Sequence, residues 1–341
     1  MYSLRTPSVR TLTLSVMLFA ATLGYALPGW AQSPLSAPET AAPAVTAGPQ
    51  PTAAVSPPSL PPVVSGRRGK LLLTAGVSSI DGAAGGGLTP WALTGGYATD
   101  DSFGTSAFVT RTVLQDYTLN VYGAAVGWGD RLEASIARQD FNTGQSIAPL
   151  GFPGLKLRQT IVGLKLRVAG DAVLDSDRLM PQIAVGFQYK NLDAGRFKPV
   201  LRLLGARTQG TDFYLSATKL FLAQSVLVNG TLRATRANQN GLLGFGSVKN
   251  DDYRLQAEVS LALALRKDLA VGVEYRAKPD NLNGVAFGRG LREDDWKDAF
   301  IAWTPSKWIS LTLAYVDLGH IVPALTPKRQ NGAYMSVQLS Y

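Results

Sequence analysis

The stretch NGAYMSVQLSY, from Asn331 to Tyr341, decides how this chain is read. Met335, Val337, Leu339 and Tyr341 alternate with Tyr334, Ser336, Gln338 and Ser340. Successive side chains of a strand point to opposite faces, so this segment carries one apolar and one polar face. It fits a half-buried strand of a soluble sheet or a strand of a transmembrane barrel, whose outer face meets hydrocarbon. Recurrence decides between them. In 182–190, Ile183, Val185, Phe187 and Tyr189 oppose Gln182, Ala184, Gly186 and Gln188. In 253–265, Leu255, Ala257, Val259, Leu261 and Leu263 oppose Arg254, Gln256, Glu258 and Ser260. Residues 226–236, 269–276 and 309–315 repeat the scheme. Fourteen candidate strands follow, at 69–78, 90–99, 103–112, 117–128, 131–140, 157–169, 180–190, 211–220, 225–236, 252–266, 268–277, 295–304, 307–317 and 332–341.

The amino-terminal residues set the compartment. Arg5 and Arg10 precede an apolar run from Leu12 to Leu27 and a small-x-small site at Gly29-Trp30-Ala31, the anatomy of a secretory signal peptide spanning 1–31. Its apolar core is shorter than the ~20 residues a spanning helix needs, and no later stretch reaches that length. A membrane-embedded mature chain must then be a closed barrel, which alone besides the helix pairs every backbone amide in lipid. Residues 32–66 hold nine prolines among Ala, Ser and Thr, a composition that favours a disordered, periplasmic, polyproline-biased tail. The tail reads as a spacer, with capture of a periplasmic partner as the alternative. The barrel is assigned to 67–341.

The connections divide into two kinds. Short ones are expected at 99–102, 128–131, 221–224, 266–268 and 305–306, and long ones at 141–156, 191–210, 237–251, 278–294 and 318–331. One short-turn end and one long-loop end is the pattern of outer-membrane barrels. The exceptions, 113–116 and 170–180, leave twelve strands as the alternative to fourteen. The fold class is thus an all-β, antiparallel, up-and-down transmembrane barrel.

The stretch Gly76-Val77-Ser78-Ser79-Ile80-Asp81-Gly82-Ala83-Ala84-Gly85-Gly86-Gly87-Leu88-Thr89-Pro90-Trp91-Ala92, with Glu274 to Asn281 and Asp294 to Phe300, resembles an uncharacterised proteobacterial family known only as a domain of unknown function. The resemblance covers 69–341 and implies an envelope protein of a Gram-negative cell, without a reaction to transfer. A looser similarity is to outer-membrane barrels associated with exopolysaccharide export.

Composition excludes several chemistries. The chain has no cysteine, and so no disulfide, thiolate nucleophile or cysteine metal site. Its formal charge of +9 falls to +7 once Arg5 and Arg10 leave with the signal. That excess suits anionic lipid phosphates, lipopolysaccharide or an anionic solute, and no dense basic cluster interleaved with aromatics points to nucleic acid. The single histidine, His320, could in principle activate Ser310 or Ser336, but no nucleophile-elbow spacing surrounds either serine, so no catalytic residue is assigned and no enzyme is expected. Asp171, Asp175 and Asp177 lack the spacing and terminal Glu of a calcium loop. Glu293, Asp294, Asp295 and Asp298 could hold a divalent cation near lipopolysaccharide phosphates or pair with lumenal arginines. Gly85-Gly86-Gly87 lacks the Lys-Ser/Thr of a phosphate loop and suits close backbone packing or a plug. No metal or cofactor is expected.

The polar faces carry the functional expectation. Lys165, Arg167, Lys190, Arg233, Arg254 and Arg276 point inward by register, against two clear inward acids, Glu258 and Glu274. A water-filled lumen so lined would favour anions, and the equal alternative is a lumen filled by salt bridges and hydrogen bonds that does not conduct. The leading expectation is therefore a porin-like channel or exporter for a small or polymeric anionic solute, such as a polysaccharide. A structural or assembly role in the envelope is second, and a lipid-modifying enzyme using His320 third.

Overall fold

The computed structural model describes residues 70, 73, 77–99, 102–173 and 179–341. The expected signal peptide at 1–31 and proline-rich tail at 32–66 lie outside these residues. Twelve antiparallel strands close a barrel: β1 (Phe103–Leu114), β2 (Thr118–Trp128), β3 (Leu132–Asn142), β4 (Lys156–Ala169), β5 (Gln182–Asp193), β6 (Gln209–Phe221), β7 (Val226–Thr235), β8 (Arg254–Arg266), β9 (Leu269–Arg276), β10 (Trp296–Ser306), β11 (Ile309–Asp317) and β12 (Asn331–Ser340). Each pairs with its neighbours in sequence, and β12 returns to β1 with Val337 opposite Val109, leaving no open edge.

Alternation is what makes these strands. Along β1 every even-numbered side chain is buried and every odd one exposed, and β8 repeats this from Glu258 to Leu263. Outward stand Val259, Leu261, Leu263, Ile301 and Leu313, an apolar face with no protein to cover it. Outward charges keep toward the strand ends, where Arg138 and Arg158 flank Asp140 near the loops. Aromatic side chains ring both ends: Phe103 stacks on Trp128 and Trp308 on Tyr341 at one, while Phe213 meets Tyr253 at the other. An apolar belt between two aromatic girdles is the surface that a bilayer selects. A register slip by one residue would invert every such face, so the pairing is strongly specified.

Long connections at 143–155, 194–208, 236–253, 277–295 and 318–330 gather at one end with the short 115–117 turn. The other end carries 129–131, 222–225, 267–268 and 307–308 and the longer 170–181 segment. Both exceptions anticipated from sequence persist.

The expected strand at 90–99 does not form, and the one expected at 69–78 falls largely outside the described residues; the barrel closes with twelve strands, which corrects the count from about fourteen to the alternative of twelve. Within 77–99 only the isolated bridges Ser78 to Ala84 and Gly85 to Pro90 occur. The reason is local. Pro90 has no amide hydrogen for a ladder and glycines weaken a strand. A Cβ on Gly85 would lie 2.2 Å from the Thr89 carbonyl oxygen, so only glycine makes this bend. Trp91 and Leu93, which share one face of a hypothetical strand, are both buried, leaving nothing to meet lipid.

Candidate functional site

Residues 77–99 fill the lumen. An eight-stranded barrel is filled by its own side chains, whereas sixteen to eighteen strands leave an aqueous channel; twelve leave room for a folded segment. The segment is anchored at the short-turn end, where the Tyr97 amide donates to the Tyr341 carbonyl at 3.1 Å. Its buried backbone has to be paired by the wall. Glu133 accepts from the amides of Ala84 at 3.1 Å and Gly95 at 2.7 Å, and Glu274 accepts from Leu88 at 2.7 Å. Thr218 accepts from Ala92 at 2.8 Å, and the Pro90 carbonyl accepts from Thr231 at 2.9 Å. The Trp91 indole donates to Ser260 at 3.0 Å. A Cβ on Gly86 would come within 2.0 Å of Glu274 Oε1, so this glycine lets the plug backbone lie against the carboxylate.

One plug carboxylate completes the charge of the wall. Asp81, buried, lies 3.0 Å from Arg276 Nη1, 3.5 Å from Lys190 Nζ and 3.9 Å from Arg233 Nη2. The same cations meet two wall acids: Lys190 is 2.9 Å from Asp212, and Arg233 and Arg276 are 2.5 and 3.2 Å from Glu258. Three cations and three anions form one balanced, water-excluded network. Above it, Gln239 and Asn240 take left-handed conformations, φ 44° and 58°, in the β7–β8 loop. Asn240 donates to Asp81 at 2.7 Å and accepts from Lys190 at 2.6 Å and Arg276 at 2.8 Å, latching plug to wall.

The other inward cations have partners too. Lys165 pairs with Glu133 at 3.1 Å and donates to the Leu93 carbonyl at 2.6 Å. Arg167 joins Asp130 and Asp171 at 2.6 and 3.1 Å near the short-turn end. Arg254 is exposed at the loop rim, where it donates to Asn250, so it does not line the enclosed lumen. The expected ratio of six cations to two acids is therefore corrected. Glu133 and Asp212 share the inward parity of their strands and were readable from it, whereas Asp81 arrives on what the sequence reading took for the connection between two wall strands.

Three acids of the cluster have protein partners, while the buried Asp298 leaves its Oδ1 without one among the described residues. Glu293 pairs with Lys278 at 2.9 Å, and Asp295 accepts from the Tyr275 hydroxyl. Burial pushes the Glu293 carboxyl up and the Lys278 ammonium down, and their mutual attraction opposes both shifts. Asp294 accepts from His320 Nδ1 at 2.6 Å; burial works to raise its carboxyl, but the His320 hydrogen bonds and Arg292 hold it below the ordinary carboxylate value. Ser310 lies at the opposite end of β11 from His320, and Ser336 accepts from Thr110 inside the barrel. Asp171 is occupied by Arg167, while Asp175 and Asp177 lie outside the described residues. Among the described residues no cluster has the make-up of a metal site.

Above the latch the five long loops enclose an apolar chamber of about 90 Å³. Leu157 and Leu282 are fully buried around it, with Phe197, Leu242 and Trp296. Lys278 Nζ sits 4.1 Å from the Trp296 ring centroid and donates to Gln239 Oε1 at 2.8 Å, so the charged layer begins at the chamber floor. This compartment was invisible in the sequence, because its lining comes from loops with no periodicity.

The chain belongs to the family described as proteins of unknown function (DUF3034), whose model matches residues 74–338 and so takes in plug and barrel together. No curated protein matches it. Among solved structures it is similar to the KdgM porin in complex with disordered oligogalacturonate, at 11% identity over 69% of this chain and 99% of that one, TM-score 0.44. Outer membrane phospholipase A from Escherichia coli is 11% identical over 72% and 94%, TM-score 0.38. An outer membrane channel from Pseudomonas putida F1 is 9% identical over 72% and 96%, TM-score 0.42. At such identities the likeness concerns the barrel fold.

Proposed function

We propose that the protein is a porin-like barrel of the Gram-negative outer membrane whose lumen is closed at rest by its own residues 77–99. The apolar belt and aromatic girdles support the membrane, and entry of the plug from the short-turn end supports a periplasmic amino-terminal side. The observation that carries the reading is the position of Asp81. Trp91 and Leu93 pack on Leu220, Leu227 and Phe300, and Glu133 and Glu274 pair plug amides, but a plug made to be permanent has no need of the buried carboxylate that here meets three wall cations. Passage of a solute requires that lock to open. The anionic solute expected from the strand charges is not part of this reading, because the described inward cations on the wall are already neutralised, and no catalytic step is assigned.

The second reading is a structural protein of the envelope, favoured by the number of hydrogen bonds between plug and wall. Planar-bilayer recordings separate the two. The unmodified protein is expected to be silent or to open rarely, and a variant lacking 77–99 to conduct steadily. Silence from the assembled deletion variant would leave the structural reading.

A further inference from the structure

The outward face of the barrel is not uniform around its circumference. On β1 to β4 its loop-side half carries Arg111, Arg138, Lys156 and Arg158, all of outward parity. The ladders set them side by side: Arg111 lies opposite Asn120, Asn120 opposite Asp140, and Asp140 opposite Arg158, one row across four strands. Arg138 stands beside this row on β3. Across the barrel, the outward cation Lys297 is set opposite an acid, Asp317.

The guanidinium donors of the row are held in place without being used up. Asp140 Oδ1 lies 3.8 Å from Arg138 Nε and 3.7 Å from Arg158 Nε, beyond hydrogen-bond reach of both. One carboxylate thus orients two guanidiniums whose side chains are 41% and 48% exposed. Arg111 donates to the neutral amide of Asn120 at 3.1 Å. Asp193, opposite Arg158 on β5, turns to its own loop and accepts from the Gly195 amide at 3.1 Å.

Depth raises the cost of such a cluster. Phe103, in the aromatic girdle of the opposite end, and Arg111 lie on the same strand. At ~3.4 Å per residue and a tilt of about 40°, the stretch 103–111 rises roughly 20 Å, less than the ~25 Å height of an outer-membrane apolar band. Val113, nearer the loops, is exposed and apolar. The Arg111 stem therefore starts at the edge of hydrocarbon, where a cation destabilises unless its head reaches water or an anion. Snorkelling relieves a single such residue. Four on neighbouring strands repel one another, and an anionic partner at headgroup height removes that repulsion.

Spacing selects among anionic lipids. Strands lie about 4.8 Å apart, so Arg111 on β1 stands about 10 Å from Arg138 on β3 and about 15 Å from Arg158 on β4. Asn120 and Tyr122, outward on β2, lie between them. A phosphoglyceride brings a single phosphate. A disaccharide headgroup phosphorylated at both ends brings two anions with sugar hydroxyls between, in the order in which the wall presents cation, hydrogen-bonding groups and cation. Guanidinium forks take phosphate bidentately.

We propose that the outward face of β1 to β4 at the loop end binds the doubly phosphorylated disaccharide headgroup of lipopolysaccharide, with one phosphate on Arg138 and Arg158 and the other on Arg111. The inference goes beyond the transport reading and rests on it only for the loop end facing the outer leaflet.

The test titrates the purified barrel, plug included, with diphosphoryl lipid A in nonionic detergent and reads the bound fraction by native mass spectrometry. The Arg111→Gln, Arg138→Gln, Arg158→Gln variant should bind at least about tenfold more weakly, the weight of one or more charge-assisted hydrogen bonds. Arg254→Gln, Arg289→Gln, Lys297→Gln removes the same charge from exposed positions elsewhere and should stay within about twofold. Heat-modifiability on gels checks that both variants fold. Phosphatidylglycerol should compete poorly. Equal losses in the two variants, or displacement of lipid A by equimolar phosphatidylglycerol, overturns the proposal. Orientation is read separately: the chain has no native cysteine, so Val248→Cys in an exposed loop reports whether an impermeant thiol reagent reaches the loop end on intact cells. Binding without labelling would refute the orientation and keep the patch, whereas labelling without binding would refute the patch.

Discussion

Replacing Asp81 by asparagine should unlock the plug while leaving the barrel standing. The carboxylate faces Lys190, Arg233 and Arg276 at 3.0 to 3.9 Å and is buried with all three. Asparagine keeps the size and one acceptor oxygen for Asn240 or Arg276, so packing is little changed. What disappears is one of three negative charges in a balanced network, leaving three cations against Asp212 and Glu258. Leaving a buried charge uncompensated costs about 3 to 5 kcal/mol. If that cost falls on the plugged state, the open fraction rises by about two to four powers of ten. The barrel ladders bear none of it. The assay is hydrogen exchange of the amides in 77–99 against those of β1 and β12, alongside bilayer conductance. Plug amides should exchange faster by a factor of that order, with the strands unchanged. A second variant, Arg276→Gln on Asp81→Asn, restores the balance and should recover much of the protection, since residues in one network are energetically coupled. Plug protection equal to that of the unmodified chain would refute the idea that Asp81 is the lock.

Further outcomes follow from the same geometry. Val259→Arg, on the lipid face, should impair assembly by about 2 to 4 kcal/mol, read as loss of the heat-modifiable band, whereas Val248→Arg in an exposed loop should assemble normally. Gly86→Val should release the plug rather than unfold the barrel, because the added carbon enters the Glu274 carboxylate; limited proteolysis within 77–99 with an intact heat-modifiable band reports it. The Asp294–His320 tie joins the β9–β10 and β11–β12 loops. Because the folded carboxyl titrates below its unfolded value, this stabilisation is present above about pH 4 and is lost as pH falls through the lower folded value. Acid should therefore loosen these loops to protease at Arg292, and Asp294→Asn should loosen them already at neutral pH.

How much of this was readable in the chain depends on what generates a pattern. Strands meeting lipid must alternate, so β1 to β12 emerge from sequence within a few residues at each end, and the Met335 to Leu339 face lies where the alternation put it. The segment 77–99 meets no lipid and obeys no period; its glycines serve close approach to the wall, which looks from sequence like a weak strand. Asp81, Glu133 and Asp212 show how this error spread. With 90–99 counted as wall and Glu133, Asp212 and Asp81 left out of the charge balance, six inward cations faced two acids, and an anion channel led a salt-bridged lumen as the expectation. The chamber depends on five loops meeting in space, and Leu157 and Leu282 carry no mark of that meeting.

The most direct measurement of the central claim, that 77–99 lies inside a twelve-stranded barrel, uses the absence of native cysteine. A Cβ on Gly95 would stand 3.5 Å from that of Ala125 in β2, within the range of a disulfide. The Gly95→Cys, Ala125→Cys variant should crosslink on mild oxidation, seen as a gel shift, while Gly95→Cys with Val126→Cys, one residue on and facing lipid, should not. If 90–99 were instead a strand of the wall, a whole strand would separate it from β2, placing the pair on the order of 10 Å apart. Absence of the first crosslink in an assembled barrel would contradict the plugged lumen.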